Sequence, residues 1–207
     1  MVLKSKGLTL LEIVIVVFIL LIILTFFFSV FDYANFFKKS RDDKRIADLW
    51  ALEMALTSYL MFNKNNPLAL GPTNTGIGES EQSIFISVPV DVENLSALIL
   101  GGYRLKQASS SNLINIDGNG WLPVDLTTLV NPPLVAYPVD PINSYNKKLF
   151  YAYVFKRNSS TFEINANLEF SDYKKNGGID QTSYDSGDND NVLEVGNDKR
   201  LMINLLY

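Results

Sequence analysis

The feature that most constrains this chain is an uncharged, apolar run at residues 13–31, which follows the carboxylate of Glu12. Only Thr25 and Ser29 interrupt its apolar character. As a helix the run would be roughly 28 Å long, about the thickness of the hydrocarbon core of a bilayer. A charge inside lipid costs about 2.5–3.5 kcal/mol. An acidic side chain at the start of such a run is therefore predicted to have a functional role. The alternative is an interfacial Glu12 that is stabilised by the positive end of the helix dipole.

The residues before the run add a more specific pattern. Residues 1–6 carry two lysines, and Gly7, Leu8 and Thr9 follow before Glu12. This pattern resembles the class III signal peptide of the type IV pilins and of the major pseudopilins of type II secretion. The resemblance implies that a prepilin peptidase cuts between Gly7 and Leu8 on the cytoplasmic side and methylates the new amino terminus. The chain departs from the family in beginning its mature part with leucine, where phenylalanine is usual.

The same resemblance implies a role in assembly for Glu12 and Leu8. In the family, apolar helices leave the membrane and pack as the core of a helical filament. Glu12 would then neutralise the α-amino group of Leu8 on a neighbouring subunit. That amine is mostly protonated at neutral pH, and two unpaired buried charges would cost several kcal/mol each.

The implied function is therefore that of a structural subunit, a pilin or pseudopilin, that polymerises through its N-terminal helix. The implied partners are other copies of the chain, other pilins, the prepilin peptidase and the assembly platform of a pilus or secretion system. The expected location is the cell membrane before assembly, as a single-pass protein with a cytoplasmic N-terminus. After assembly it would be an extracellular or periplasmic filament.

Other interpretations of the N-terminal segment can be compared on physical grounds. A secretory signal has an apolar region of about 7–15 residues with small residues at its cut, which the run at 13–31 does not match. A single-pass anchor that holds a surface receptor or binding module is the alternative function. Counting lysine and arginine on each side of the run would place the C-terminal side in the cytoplasm. The pilin resemblance requires the opposite orientation, and we follow the resemblance.

Composition argues against several classes of function. The chain has no cysteine and no histidine, so it lacks disulfides, thiolate ligands and the usual general base. We therefore predict that it is not an enzyme. With 18 basic and 22 acidic residues the net charge is −4, which disfavours a nucleic acid as the main ligand.

A single long helix is predicted to follow the leader. No proline precedes Pro67 and no glycine lies between Gly7 and Gly71, so the helix is expected to cover residues 9–63. Its second half is predicted to be amphipathic, with one apolar stripe. The stripe comprises Ile46, Leu49, Trp50, Met54, Leu56, Leu60 and Met61. The predicted domains are a leader (1–7), a transmembrane or filament-core half of the helix (8–31), an amphipathic half (32–66) and a globular head (67–207).

The predicted fold class is α+β, in which the long helix packs on a small antiparallel sheet. Alternating residues predict a hairpin of strands 149–156 and 161–169, and weaker signals predict strands at 83–90 and 201–205. Residues 92–100 are predicted to form a short helix. One face of the sheet is expected to pack on the helix and the other to face water. The rigid Asp140-Pro141 turn resembles the pseudopilin segment that precedes the sheet.

An acidic loop near the C-terminus is the candidate metal site. Asp185, Asp188 and Asp190 supply hard oxygen ligands of the kind that Ca²⁺ prefers. The spacing is not that of an EF-hand, but major pseudopilins bind calcium in a loop of this region. The resemblance therefore points to calcium as the one candidate cofactor, and the alternative is a solvated acidic loop.

Overall fold

The structure, a computed structural model, describes residues 7, 9–30, 32–63 and 70–202, with the backbone alone at 27–30. The chain divides into two compact units, Met1–Phe37 and Lys38–Tyr207. The predicted leader and Leu8 lie outside the described residues, apart from Gly7. The functional division into leader, two helix halves and head stays a prediction.

The predicted continuous helix is two helices in the structure. Helix α1 spans Leu10–Val30 and helix α2 spans Tyr33–Phe62. Asp32 caps the start of α2, because its Oδ1 accepts the backbone N–H of Asn35 at 3.1 Å and its carbonyl accepts that of Phe36 at 3.0 Å. An aspartate at this position satisfies backbone donors that a new helix leaves free. The expectation of one helix over 9–63 is therefore wrong at this point.

The predicted membrane-embedded segment continues to Phe31, which is not among the described residues. Within the part of the chain that the structure does describe, neither helix combines the length and apolarity needed to cross a membrane.

The head contains a mixed sheet of six strands in the order β2-β3-β1-β4-β5-β6. The strands are β1 (Ser83–Ile86), β2 (Ile99–Leu100), β3 (Tyr103–Gln107), β4 (Tyr151–Lys156), β5 (Thr161–Ala166) and β6 (Leu193–Gly196). The predicted strand within 83–90 and the predicted β4–β5 hairpin are confirmed, and the hairpin register pairs Tyr153 with Ile164. One pair is parallel, β1 with β3, so the expectation of a purely antiparallel sheet is wrong.

The predicted short helix at 92–100 is also wrong, since its last two residues form strand β2. Gly101 and Gly102 have φ of 54° and 89°, values that glycine adopts without strain, and they turn the chain back from β2 into β3. The Gln107 side chain accepts from the N–H of Leu95 and donates to the carbonyl of Glu93. The Leu95 N–H and the Glu93 carbonyl are therefore hydrogen-bonded without forming a helix.

The last strand of the sheet lies earlier than predicted. The edge strand is Leu193–Gly196, antiparallel to β5. Of the predicted strand at 201–205, residues 201 and 202 are described and are not strand, and 203–205 lie outside the described residues.

Both faces of the sheet are covered, which corrects the expectation of a wet second face. One face packs on α2 in a core that includes Leu52, Leu56 and Tyr153. The opposite face forms a second core with Ile84, Leu105, Phe150 and Met202 among its members, as well as Ile86, Val88, Ala152 and Val154. Polar residues of β5 that were expected to be exposed are therefore buried, and Glu163 has no exposed surface.

The buried side of α2 is rotated from the predicted stripe. Leu49 and Leu56 are buried as predicted. Trp50, Met54 and Met61 instead remain 60%, 64% and 66% exposed. Asp42 and Arg45, which hydropathy alone would place outside, are fully buried, and this polar pair decides which side of α2 faces the head.

Candidate functional site

The N-terminal candidate site begins with a capping box. The backbone N–H of Thr9 donates to Glu12 Oε2 at 3.2 Å, and the N–H of Glu12 donates to Thr9 Oγ1 at the same distance. Such a reciprocal pair satisfies two free donors at a helix start. Glu12 is exposed, and Gly7 is described close before this cap. Leu8, the other predicted assembly residue, lies outside the described residues.

Helix α1 exposes apolar side chains on every side. Ile13, Val14, Ile15 and Val16 are 51%, 56%, 49% and 54% exposed, and four consecutive residues cover a full helical turn. The same holds along the helix to Phe26, which is 71% exposed. Glu12 is the only charged residue in the sequence of α1. A water-soluble helix usually confines its apolar residues to one stripe, and the described side chains of α1 show no such stripe.

In the head unit, a cluster of charged side chains fixes α2 to the loops beside the sheet. Arg45 is its centre and is fully buried. Its guanidinium donates to Asp42 Oδ1 at 2.6 Å and to Glu169 Oε2 at 2.7 Å, and it also donates to both oxygens of Asp140. Arg41 binds the same Glu169 through Nη2 at 2.8 Å. Asp42 in turn accepts the backbone N–H groups of residues 169 and 170.

The electrostatics of this cluster favour the charged forms of Arg45 and Glu169, whereas burial raises the pKa of Asp42. Burial alone would lower the pKa of Arg45, but the hydrogen bonds that it donates to three carboxylates, and their charge, outweigh burial and raise the pKa. Burial would likewise raise the pKa of Glu169, yet Arg41 and Arg45 lower it to about 2. Four hydrogen bonds to carboxylates hold the buried guanidinium, and such a group can be retained without large cost only if its partners stay in place. The cluster therefore holds α2 against the loops that carry Asp140 and Glu169. The sequence predicts the Asp140-Pro141 turn, but it does not predict that Asp140 binds Arg45.

The predicted calcium residues are used in different ways. Asp185 accepts backbone N–H groups with both oxygens, from Gly187 at 2.8 Å and from Glu194 at 2.7 Å. Asp190 pairs with Lys175 at 2.8 Å, and Asp188 is exposed. No set of three or more acidic side chains is arranged to hold a metal ion in the regions that the structure describes. Calcium binding at this loop stays a prediction.

Sequence reasoning missed a pair of buried glutamates behind the acidic loop. Glu163 of β5 and Glu194 of β6 have no exposed surface and 1% exposed surface, respectively. Glu163 Oε2 accepts the N–H groups of residues 201 and 202, and Glu194 Oε2 accepts that of Asn189. The Oε1 atom of each carboxyl has no hydrogen-bond partner among the described residues, and each of the two groups affects the pKa of the other.

The electrostatics of the two carboxyls favour a protonated form of at least one of them. Burial raises the pKa of both groups, and the nearby charges of Glu163 and Asp185 add to this at Glu194, whose pKa rises to about 8. Like charges in one site cannot both ionise cheaply. The raised pKa of Glu194 favours its protonated form at neutral pH, in which it could donate to Glu163. The alternation of β5 predicts that Glu163 faces water, and the structure buries it instead.

The described site residues thus fall into three groups: the capped start of α1, the charged cluster beneath α2, and the acidic loop with its buried glutamate pair. Comparisons of the chain with protein-family models, with curated proteins and with solved structures give no match.

Proposed function

We propose that this chain is a pilin-like structural subunit that is processed after Gly7 and polymerises through its N-terminal helix. The product would be a filament of the type IV pilus or type II secretion kind. The head, residues 67–207 together with α2, would form the outer part of each subunit. Other copies of the chain and other pilins would be its main partners.

The observation that carries this proposal is the exposure of apolar side chains on all sides of α1. Fully burying one leucine, isoleucine, valine or phenylalanine side chain gains about 1.5–3 kcal/mol, so a helix of this composition gains most when neighbours surround it. Copies of the same helix offer such surroundings on every side. Contacts that repeat head to tail between identical subunits generate an open helical assembly.

Glu12 supplies the polar contact in this proposal. Once the leader is removed, the α-amino group of Leu8 on a neighbouring subunit becomes its partner. Glu12 would then exchange the backbone N–H of Thr9, at 3.2 Å, for that charged amine. The amine adds an opposite charge that the Thr9 N–H lacks, and the attraction between two charges strengthens as the dielectric falls, which favours the exchange inside an apolar filament core.

The membrane stage of the proposal rests on the sequence of the uncharged run at 13–31, which extends beyond the described side chains of α1. Before assembly, this run would hold the subunit at the cell membrane with its leader in the cytoplasm. There it would meet the prepilin peptidase and the assembly platform.

The test begins with the mature N-terminus. Intact-mass and N-terminal peptide analysis of the native protein should give a chain that begins at Leu8 with a methylated amine. A mature protein that keeps residues 1–7, or one that is cut after residue 31, would contradict the proposal.

The second part of the test is Glu12→Ala, with Glu12→Asp as a matched control that keeps the charge. The alanine variant should remain in the membrane fraction, because it removes a charge from apolar surroundings. It should nevertheless lose filaments, counted by electron microscopy of sheared surface material, while Glu12→Asp keeps part of the assembly. A single-pass receptor would be indifferent to both changes, so wild-type behaviour of the alanine variant would exclude the proposed pairing.

A further inference from the structure

The chain contains two Asn-Gly dipeptides, Asn119-Gly120 and Asn176-Gly177, and the head holds them differently. An asparagine before glycine can react with its own backbone, because the next nitrogen can attack the side-chain Cγ and glycine has no Cβ to hinder the approach. We propose that Asn119 is a site of spontaneous conversion to aspartate and isoaspartate, and that the fold protects Asn176 from the same reaction.

The difference lies at the backbone nitrogen that has to attack. The N–H of Gly177 donates to the carbonyl of Lys174 at 2.8 Å, whereas the N–H of Gly120 donates to no acceptor within the described parts of the chain. Asn176 is also held by a φ of 65° and by its own N–H, which donates to Asp180 Oδ2 at 2.9 Å. Attack by Gly177 must first break this turn, and attack by Gly120 breaks no hydrogen bond at the nitrogen.

The side chain of Asn119 lies at the surface and has a hydrogen bond to Asp117. Asn119 is exposed, and its backbone N–H donates to Asp117 Oδ1 at 3.1 Å. This contact forms a local turn that presents the asparagine to solvent. It uses the N–H of Asn119 and leaves that of Gly120 free.

The reaction balances with water as the only co-reactant. The Gly120 nitrogen forms a bond to Cγ of Asn119, its proton passes to the side-chain amide, and ammonia leaves as a succinimide ring closes. Water then opens the ring at one of its two carbonyl carbons. Opening at Cγ gives aspartate, and opening at the backbone carbon gives isoaspartate, in which the main chain runs through the former side chain.

Isoaspartate adds one carbon to the main chain where the head has no room for it. A Cβ on Gly120 would already lie 2.1 Å from the carbonyl oxygen of Asn115. The next residue, Trp121, is 1% exposed. Its backbone N–H donates to Leu113 at 3.0 Å and its indole N–H to Pro138 at 2.9 Å. The isoaspartate form should therefore displace Trp121, which makes indole fluorescence a second readout.

The experiment is ageing of the full chain in detergent at neutral pH, with and without denaturant, followed by peptide mapping by mass spectrometry. In denaturant the two dipeptides should react at similar rates, because no structure distinguishes them. In the folded protein Asn119 should react about two- to tenfold faster than Asn176, the factor that one hydrogen bond provides. Cleavage by a protease that cuts before aspartate but not before isoaspartate separates the two products.

Asn119→Gln is the matched control, because glutamine keeps the amide but would have to close a larger ring. This variant should stop ammonia loss at position 119, leave the rate at Asn176 unchanged and keep the Trp121 fluorescence constant during ageing. Equal rates at the two sites in the folded protein would overturn the proposal. So would an intact Asn119 over a period in which the unfolded chain reacts at both sites.

Discussion

The buried pair Glu163 and Glu194 should make the stability of the head fall as pH rises from acid to mildly alkaline values. The pKa of Glu194 is raised from 4.5 to about 8, so between these values the folded state binds a proton that the unfolded chain has released. A group with a raised pKa contributes stability fully below its unfolded pKa, and the contribution is lost as pH rises through the folded pKa. At about 1.4 kcal/mol per unit of pKa difference, the full loss is about 5 kcal/mol. This is a large share of the roughly 5–15 kcal/mol typical of a domain.

The assay is urea unfolding of the full chain in detergent, followed by Trp121 fluorescence at a series of pH values. The wild-type free energy of unfolding should decrease steadily from about pH 5 to pH 9. In Glu194→Gln, the amide nitrogen can donate to Glu163 Oε1 at every pH while the amide oxygen accepts from Asn189. The decrease should therefore largely disappear in this variant.

Asp188→Asn is the matched control, because it removes one charge from the same exposed loop and touches neither glutamate. It should keep the wild-type pH dependence. If wild-type stability is flat from pH 5 to pH 9, or if Glu194→Gln keeps the wild-type slope, the two carboxyls do not share a proton.

Two further predictions concern the charged cluster and the loop. Arg45→Met should destabilise the head by about 3–5 kcal/mol, because it leaves Asp42 and Asp140 buried without their cation. Denaturant midpoints should show this, whereas Lys44→Met on the exposed side should change stability by less than about 1 kcal/mol. If the acidic loop binds calcium, calcium at 100 times its Kd should stabilise the folded state by about 2.7 kcal/mol. The melting temperature should rise accordingly. The double change Asp188→Asn, Asp190→Asn should remove that response, and a melting curve indifferent to calcium and to chelator would leave the loop as solvated surface.

Local sequence signals were sufficient where neighbouring residues alone determine the structure. The Thr9-to-Glu12 spacing is that of a capping box, a local signal that is not among the predictions above, and the structure has the reciprocal hydrogen bonds at 3.2 Å. The β4–β5 hairpin also depends on neighbouring residues. Phe162 and Ile164 alternate with polar residues in β5, and the turn at 157–160 lies directly between the two strands. These elements could be predicted from the sequence.

The remaining features depend on residues that are distant in the chain. Arg45 is buried because Asp140 and Glu169 meet it from loops about a hundred residues away, as their separations of 95 and 124 show. No periodicity within α2 contains that information. Glu163 looked like a solvent-facing residue because its strand alternates, and it is buried because a second core covers that face. The parallel pairing of β1 with β3 likewise depends on tertiary contacts, since the intervening residues carry no crossover helix.

The capped start of α1 has a consequence for how neighbours could recognise one another. A helix that is equally apolar on all sides can pack equally well on any of them. Apolar packing alone therefore does not select the side on which a neighbour binds. The hydroxyl of Thr25 is used within the helix, where it donates to the carbonyls of Leu21 and Ile22 at 3.0 and 2.9 Å. The carboxylate of Glu12 is therefore the one charged group that distinguishes one side of α1 from the others. A charged neighbour that paired with it would be fixed both in its rotation about the axis of α1 and in its position along that axis.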